Sequence, residues 1–169
     1  YYQDDQCTIY HGDCADIIDG LDFDVIVTDP PYGVGFKGKA TKRTDADGGY
    51  DSDAFDDTPE YVRSVAIPLV ERFKDTKRIA VTTGQRMMFD YPAPSHVGCI
   101  YYPTGAGRSS WGFNCWQPVF WYGKDPFMAA GLGSRPDSIH RIAAGEANAH
   151  PCPKPLTVMR WMVGRTSID

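Results

Sequence analysis

The pattern of apolar and polar positions predicts a series of short strands. The clearest signal is the run Val25-Ile26-Val27, whose β-branched residues end at the polar pair Thr28-Asp29. Further strands are predicted at Thr8-Ile9-Tyr10, Arg78–Gly84 (ending in a turn), Val97–Tyr102 and Pro118–Tyr122. We expect the last two to pair as an antiparallel edge on an otherwise parallel sheet.

Apolar residues spaced three or four apart predict helices between these strands. A weak helix is expected at Ala15–Leu21 and a stronger one after Thr58-Pro59-Glu60, which supplies a cap, a proline and an acid in the order that opens a helix. Pro68 should kink or split that helix. A short helix around Gln85–Phe89 and another through Val158–Val163 complete the set.

The first part of the chain therefore has the order strand, helix, strand. A connection of this length suits two neighbouring parallel strands. Parallel strands end at the same edge of a sheet, where ligands bind in open α/β folds. This arrangement predicts that Asp13 and Asp29 lie at one edge.

The segment Asp29-Pro30-Pro31-Tyr32 follows the predicted strand directly and offers a rigid loop. A planar base with an exocyclic amine would donate hydrogen bonds to the Asp29 carboxylate and to the Pro30 carbonyl. Tyr32 would stack on the face of that base, which contributes about 1–3 kcal/mol.

The same four residues resemble the catalytic motif of amino-group DNA methyltransferases, which make N6-methyladenine or N4-methylcytosine. The resemblance implies an α/β, Rossmann-like, S-adenosylmethionine-dependent methyltransferase sheet, mostly parallel with an antiparallel edge. It implies that Asp29, Pro30, Pro31 and Tyr32 are catalytic, that Asp29 also borders the cofactor, and that Tyr32 contacts the substrate. An Asp at position 29 favours adenine N6 within that family.

Two other segments resemble cofactor-binding motifs of the same family. Gly12-Asp13 occupies the place of a Gly-Asp that lies near the adenine of S-adenosyl-L-methionine, which implies that Asp13 and the adjacent Cys14 border the cofactor. Asp13 is also a good cap for a helix that begins at Cys14 or Ala15. The segment His150-Pro151-Cys152-Pro153-Lys154-Pro155 resembles the family's His-Pro-x-x-Lys-Pro, with Pro153 in place of the usual Gln or Glu. The resemblance implies that His150, Lys154 and Pro155 line the methionine end of the cofactor pocket.

Three polar stretches are candidates for contact with DNA. Residues 33–57 are rich in Gly, Asp and Lys and are expected to form a mobile loop that meets DNA through its basic half, which includes Lys37 and Lys39, or a solvated insertion. Arg108 and Trp111 lie in a Gly- and Ser-rich segment suited to a flipped-out base. Residues 125–149 are expected to be loop-like throughout and, by resemblance, to form a short target-recognition segment; its candidate contacts are Arg135, His140 and Arg141.

Composition limits the class of protein. A chain of 169 residues with 42% hydrophobic content predicts a single domain, residues 1–169. The net charge of −5 argues against a generally basic DNA-binding surface, but local charge matters more for an enzyme. Five scattered cysteines without a CxxC motif indicate reduced thiols in a cytoplasmic protein and no metal site. We expect no membrane span and no signal peptide.

The motif order resembles the permuted beta class, in which a glycine-rich cofactor loop follows the His-Pro-x-x-Lys-Pro helix. No such loop follows here, so we expect a partial domain whose sheet is completed by a missing C-terminal segment or by a second copy of the chain. Two alternatives stay open: methylation of RNA or of a protein amide, and a non-catalytic nucleic-acid-binding fragment or half-assembly.

Overall fold

A mixed five-stranded sheet forms the centre of the computed structural model, which describes residues 2–35, 56–103, 105, 108–140 and 154–168. Its strands, in spatial order, are β3 (Val25–Thr28), β4 (Arg78–Thr82), β8 (Trp116–Tyr122), β5 (His96–Tyr101) and β9 (Ser138–His140). The β3–β4 and β5–β9 pairs are parallel, and β8 runs antiparallel to both of its neighbours.

The fold is therefore α/β as expected, but the prediction of a mostly parallel sheet was wrong for the described strands. Strands β5 and β8 do pair in an antiparallel manner, yet β8 lies at the middle of the sheet and not at its edge. All of β8 after Trp116 is buried. A continuous apolar run such as this one is typical of a central strand covered on both faces.

Pro118 is tolerated inside this central strand because its missing N–H lies where β4 has ended. Thr82 is the last β4 residue paired with β8, opposite Val119. One residue further, the Thr83 N–H donates to the Pro118 carbonyl at 3.1 Å. The proline ring removes only the reciprocal bond, which an N–H at position 118 would donate to the Thr83 carbonyl. The hydrogen bonds between β8 and β5 are therefore unaffected.

Two small sheets lie outside the main one. Strand β2 (Thr8–Ile9) pairs with β1 (Tyr2–Gln3) and not with β3. The expectation of two neighbouring parallel strands at the start of the chain was therefore wrong. Strands β6 (Arg108–Ser109) and β7 (Gly112–Phe113) form a hairpin between β5 and β8.

Helices cover both faces of the sheet. Helix α1 (Cys14–Ile17) continues into a 3₁₀ turn, Ile18–Gly20. Helix α2 (Pro59–Tyr61) is followed by a π-helical turn, Val62–Ala66, and then by α3 (Ile67–Phe73). Helices α4 (Pro126–Ala129) and α5 (Leu156–Thr166) complete the set of described helices.

Most of the helix predictions were confirmed. Thr58 caps α2 with Pro59 at the first position. The π turn that ends two residues before Pro68 marks the expected interruption of the regular pattern, since proline lacks the N–H that an α-helical bond needs. The expected helix at Gln85–Phe89 was wrong, because those residues form consecutive turns.

Alternating side chains of the central strands build two cores on opposite faces of the sheet. The face towards α2 and α3 contains Val62, Val70, Ile79, Val81, Met87, Tyr91, Phe120 and Tyr122. The face towards α5 contains Ala80, Ile100, Tyr102, Val119, Trp121, Val158 and Met162. This double cover fixes the carboxyl ends of β3 and β4, where the Asp-Pro-Pro-Tyr segment begins.

Two predicted loops are described only in part. Of residues 33–57, positions 36–55, including Lys37 and Lys39, lie outside the described residues. Of residues 125–149, the described part contains α4 and β9, so the expectation of a loop throughout was wrong.

Strand β3 is an edge strand of the main sheet as far as the described residues show, with β4 as its partner on one side. In the described part of the chain, the helices are all too short or too polar to cross a membrane. The described cysteines, Cys7, Cys14, Cys99 and Cys115, are free thiols.

Candidate active site

The carboxylate of Asp29 lies where two parallel strands end. Asp29 follows β3 directly, and Thr82 is the last residue of β4, so both reach the same edge of the sheet. Oδ1 of Asp29 accepts hydrogen bonds from the hydroxyl groups of Thr82 and Tyr32. The Asp29 side chain keeps 29% of its surface exposed, so it is held firmly and is still accessible to a ligand.

The Tyr32 hydroxyl is the centre of a hydrogen-bond network. It donates to Asp29 and accepts from the side-chain amide of Gln117 and from Lys154 Nζ, the latter at 2.6 Å. Gln117 in turn accepts from the Tyr102 hydroxyl at 2.8 Å. Burial, followed by the charge of Asp29 and its hydrogen bond, raises the pKa of Tyr32 well above its usual value, so this hydroxyl stays protonated.

Lys154 joins the two sequence motifs although it is 122 residues away from Tyr32 along the chain. Its ammonium group lies 3.0 Å from Asp29 Oδ2 and 4.9 Å from the centroid of the Tyr32 ring. The side chain is only 15% exposed. Lys154, directly before Pro155 and α5, therefore contacts the segment that follows β3. The resemblance implied that Asp29 and Lys154 both border the cofactor, but it did not predict this direct contact.

The backbone of the loop is fixed by a carboxylate that sequence reasoning missed. Asp57 is 6% exposed, and its Oδ1 accepts from the backbone N–H groups of Tyr32 at 2.7 Å and Gly33 at 2.8 Å. Gly33 has φ of 68°, a conformation that favours glycine. A side chain at Gly33 would also meet the backbone of Pro59 at 3.1 Å, so the loop packs on the start of α2.

Gly84 provides the second close contact. A Cβ atom at this position would lie 2.8 Å from Tyr32 Cβ and 3.0 Å from the Tyr32 carbonyl oxygen. The turn after β4 therefore needs a glycine for Tyr32 to lie against it. Gln117 and Thr82 were also missed; a polar residue at the end of an apolar strand was the signal that could have identified them.

Asp13 and Cys14 lie at the start of α1 and near Tyr61 of α2. The Asp13 carboxylate accepts from the Ala15 N–H at 2.9 Å, so the capping interpretation is confirmed. Burial raises the pKa of Tyr61, and the charges of Asp13, Cys14 and Asp56 raise it further, which places these groups in one region. The strand that precedes them, β2, does not pair with β3, so their expected placement through a neighbouring parallel strand was wrong. Their role towards a cofactor stays a prediction.

The other predicted residues differ in position. Trp111 is 98% exposed at the turn of the β6–β7 hairpin. Pro155 is the N-cap residue of α5 and offers no side-chain hydrogen bond. His150, Lys37 and Lys39 lie outside the described residues, as does the side chain of Arg108. Among the described residues, no group of three or more His, Cys, Asp or Glu side chains could hold a metal ion.

A cavity of about 510 Å³ lies at the opposite end of the sheet, and its lining includes Arg135 and Arg165. Arg165 donates to the carbonyl oxygens of Arg135 at 3.0 Å and Pro136 at 2.7 Å, and Arg135 donates back to the carbonyl of Arg165 at 3.1 Å. Arg135 also lies 3.4 Å from the ring centroid of Phe127. The guanidinium of Arg135 therefore fastens α5, and its role as a DNA contact stays a prediction.

His140, another predicted contact, lies on edge strand β9. Its ring packs edge-on against the ring of Tyr101, with 5.0 Å between the two ring centroids. Arg141 lies outside the described residues.

No protein-family model matches the chain, and no curated protein matches it either. Any assignment of function therefore depends on the motifs and on the geometry of this site: an exposed carboxylate, a flat ring and a cation at the carboxyl edge of the sheet.

Proposed function

We propose that this chain is a DNA methyltransferase, which transfers a methyl group from S-adenosylmethionine to the exocyclic amine of a flipped-out base, with adenine N6 favoured over cytosine N4. The observation that supports it most is the contact of Lys154 with both Asp29 and Tyr32. Two segments that each resemble a motif of one enzyme family meet in a single site.

Asp29 and Pro30 would position the amine. The amine of the base donates one N–H to the Asp29 carboxylate and one to the Pro30 carbonyl, which turns the nitrogen lone pair away from both acceptors. Positive charge that develops on the nitrogen during transfer is stabilised by the Asp29 carboxylate. Holding the reacting groups in line in this way supplies most of the rate enhancement.

Tyr32 would present the face of its ring to the base. Its hydroxyl is held by Asp29, Gln117 and Lys154, and its backbone N–H by Asp57. The Tyr32 side chain is therefore held in place before the substrate binds, so it loses no conformational entropy of its own on binding. Pro31 stiffens the loop between the carboxylate and the ring.

The charges of the described residues fit S-adenosylmethionine, which would supply an electrophilic methyl group on a positively charged sulfur. Lys154 lies just before α5 and supplies a cation for the carboxylate of the methionine part. Asp29 supplies a negative charge near the sulfonium. Asp13 caps its helix through Oδ1, which accepts from the Ala15 N–H. Its second carboxylate oxygen, Oδ2, is not used in this cap.

The test is transfer of a radiolabelled methyl group from S-adenosylmethionine to unmethylated duplex DNA. We expect transfer by the wild-type chain and a loss of about 100-fold or more in Asp29→Asn, because the amide cannot stabilise the charge on the nitrogen. Asp22→Asn, an exposed aspartate outside the site, should transfer at the wild-type rate.

RNA and a glutamine-containing protein extract serve as competing substrates in the same assay. Preferential labelling of either would reassign the substrate and leave the chemistry intact. Binding of DNA without any transfer would instead favour the non-catalytic alternative.

A further inference from the structure

The hairpin β6–β7 rises from the same edge of the sheet as Asp29. It connects the end of β5 to the start of β8, and both connection points belong to the site network. Tyr102, directly after β5, bonds Gln117, which bonds Tyr32. The hairpin is therefore anchored, through Tyr102 and Gln117, to the same hydrogen-bond network as the carboxylate that would receive a base.

The tip of the hairpin presents a tryptophan in a fixed backbone. Ser109 pairs with Gly112, so Ser110 and Trp111 form a two-residue turn. The Ser109 hydroxyl accepts from the Trp111 N–H at 3.3 Å and lies at the same distance from the Gly112 carbonyl oxygen. Gly112 has φ of 129°, which favours glycine. Trp111 is 98% exposed on this small, ordered turn.

Covering so large an apolar ring with a partner would be favourable, because apolar surface would leave water. The ring projects from the turn, and Phe113 of the same hairpin is also exposed, at 65%. A flat aromatic side chain that projects in this way suits insertion between two flat surfaces more than docking onto a protein.

The charge of the surrounding sequence favours a polyanion as that partner. The chain has 22 Asp and Glu residues, yet positions 91–124 contain none of them, whereas Arg108 and Lys124 fall within this stretch. The hairpin therefore lies in a stretch that does not repel phosphate groups, in an otherwise acidic protein.

We propose that Trp111 is a wedge that enters duplex DNA beside the target base and fills the gap which the base leaves when it swings out to Asp29. This inference rests on the proposed function. A base must leave the stack before its amine can reach the site, and an inserted apolar side chain recovers part of the lost stacking. Trp111 is thus a positioning residue, which acts on the DNA and not on the reacting atoms.

The test compares methyl transfer to unmethylated genomic DNA in duplex form with transfer to the same DNA after denaturation to single strands. A single strand needs no wedge. Trp111→Ala should lower transfer to the duplex by about ten-fold or more and change transfer to single strands by less than about two-fold. Trp111→Phe, which keeps a flat ring, should recover most of the duplex activity.

The matched control is Leu132→Ala, another exposed apolar residue, 62% exposed, which lies outside the hairpin and should change neither rate. An equal loss on duplex and single strands in Trp111→Ala, or no loss on either, would overturn the wedge.

A second measurement separates the wedge from the proposed function. Addition of duplex DNA should quench the tryptophan fluorescence of the wild-type chain more strongly than that of Trp111→Phe, since Trp111 stacks on bases. If the wild-type chain transfers no methyl group to either form of DNA, the proposed function fails. The difference in quenching between the two proteins then decides by itself whether Trp111 inserts into DNA. Equal quenching of the two proteins would overturn the wedge.

Discussion

At the scale of single residues, the Tyr32 hydroxyl links the described parts of the site. One hydroxyl donates to Asp29 and accepts from Gln117 and Lys154, so three side chains from distant parts of the chain depend on it. Sequence reading identified Tyr32 as a flat ring for a base. Its hydroxyl is also a structural element, because it is what holds the carboxylate, the amide and the ammonium together.

Tyr32→Phe should lower the free energy of unfolding by about 1–3 kcal/mol, because the buried amide of Gln117 loses its acceptor. Urea unfolding followed by circular dichroism measures this change. Tyr101→Phe removes a hydroxyl from a tyrosine that is 37% exposed and should cost less than about 0.5 kcal/mol. A similar cost for both variants would mean that the network does not stabilise the fold.

At the scale of elements, the turn after β4 sets the distance between the sheet and the Tyr32 loop. Because Gly84 has no side chain, Tyr32 Cβ can lie close to the place that a Cβ atom at position 84 would occupy. The same turn continues through Met87, whose side chain approaches Gly33. The loop is thus confined between the turn after β4 and the start of α2.

Gly84→Ala should therefore displace Tyr32 and reduce methyl transfer by about ten-fold or more, since small misplacements of positioning groups are costly in rate. Gly20→Ala, at a glycine with open space around it, should leave the rate unchanged. Initial rates at saturating DNA measure the effect. Full activity in Gly84→Ala would show that the position of Tyr32 is not critical.

Local pattern predicted most of the individual elements, because strands such as Arg78–Thr82 and helices such as Leu156–Thr166 have distinct apolar periods and end signals. The local sequence pattern failed to predict elements whose structure depends on pairing with another strand. Residues Ser138–His140 become a strand through their parallel pairing with β5, and Thr8–Ile9 pair with β1 because the register of a short strand has no local signal.

The residues of the candidate site also fall into two groups, those that the sequence predicts and those that it does not. Asp29 and Tyr32 could be found because they follow a strand directly, within a recognisable motif. The contacts of Asp57 and Gln117 with Tyr32 could not, because each joins positions 25 or more residues apart and is visible only once the sheet is assembled.

At the scale of the whole molecule, buried tyrosines couple the core to pH. Burial raises the pKa of Tyr91 to about 12, and the pKa values of Tyr32 and Tyr122 are raised by burial as well. In the unfolded chain tyrosines ionise near pH 10. The folded state therefore binds more protons above that pH, so stability is fully present below about pH 10 and falls as the pH rises.

Tyr91→Phe isolates one of these contributions. Between pH 9 and 11.5 the variant should lose about 2 kcal/mol less stability than the wild-type chain, because a phenyl ring has no proton to release. Urea unfolding at a series of pH values gives both curves. Parallel curves would contradict the raised pKa of Tyr91.

The whole sheet also explains why the two motifs meet. Strand β3 ends beside β4 and leads to Asp29, while Lys154 precedes α5, which packs on the face of the sheet that carries Ala80 and Val119. The contact between Lys154 and Asp29 is therefore a consequence of how α5 covers the sheet, and the proposed cofactor site depends on it.

Calorimetric titration with S-adenosylmethionine tests this account most directly. The account predicts a Kd in the micromolar range for the folded wild-type chain, a Kd weaker by about ten-fold or more in Lys154→Met, and no change in Lys124→Met at the far end of the sheet. A wild-type sample that is folded by circular dichroism and yet releases no heat of binding would contradict the claim that this site uses the cofactor.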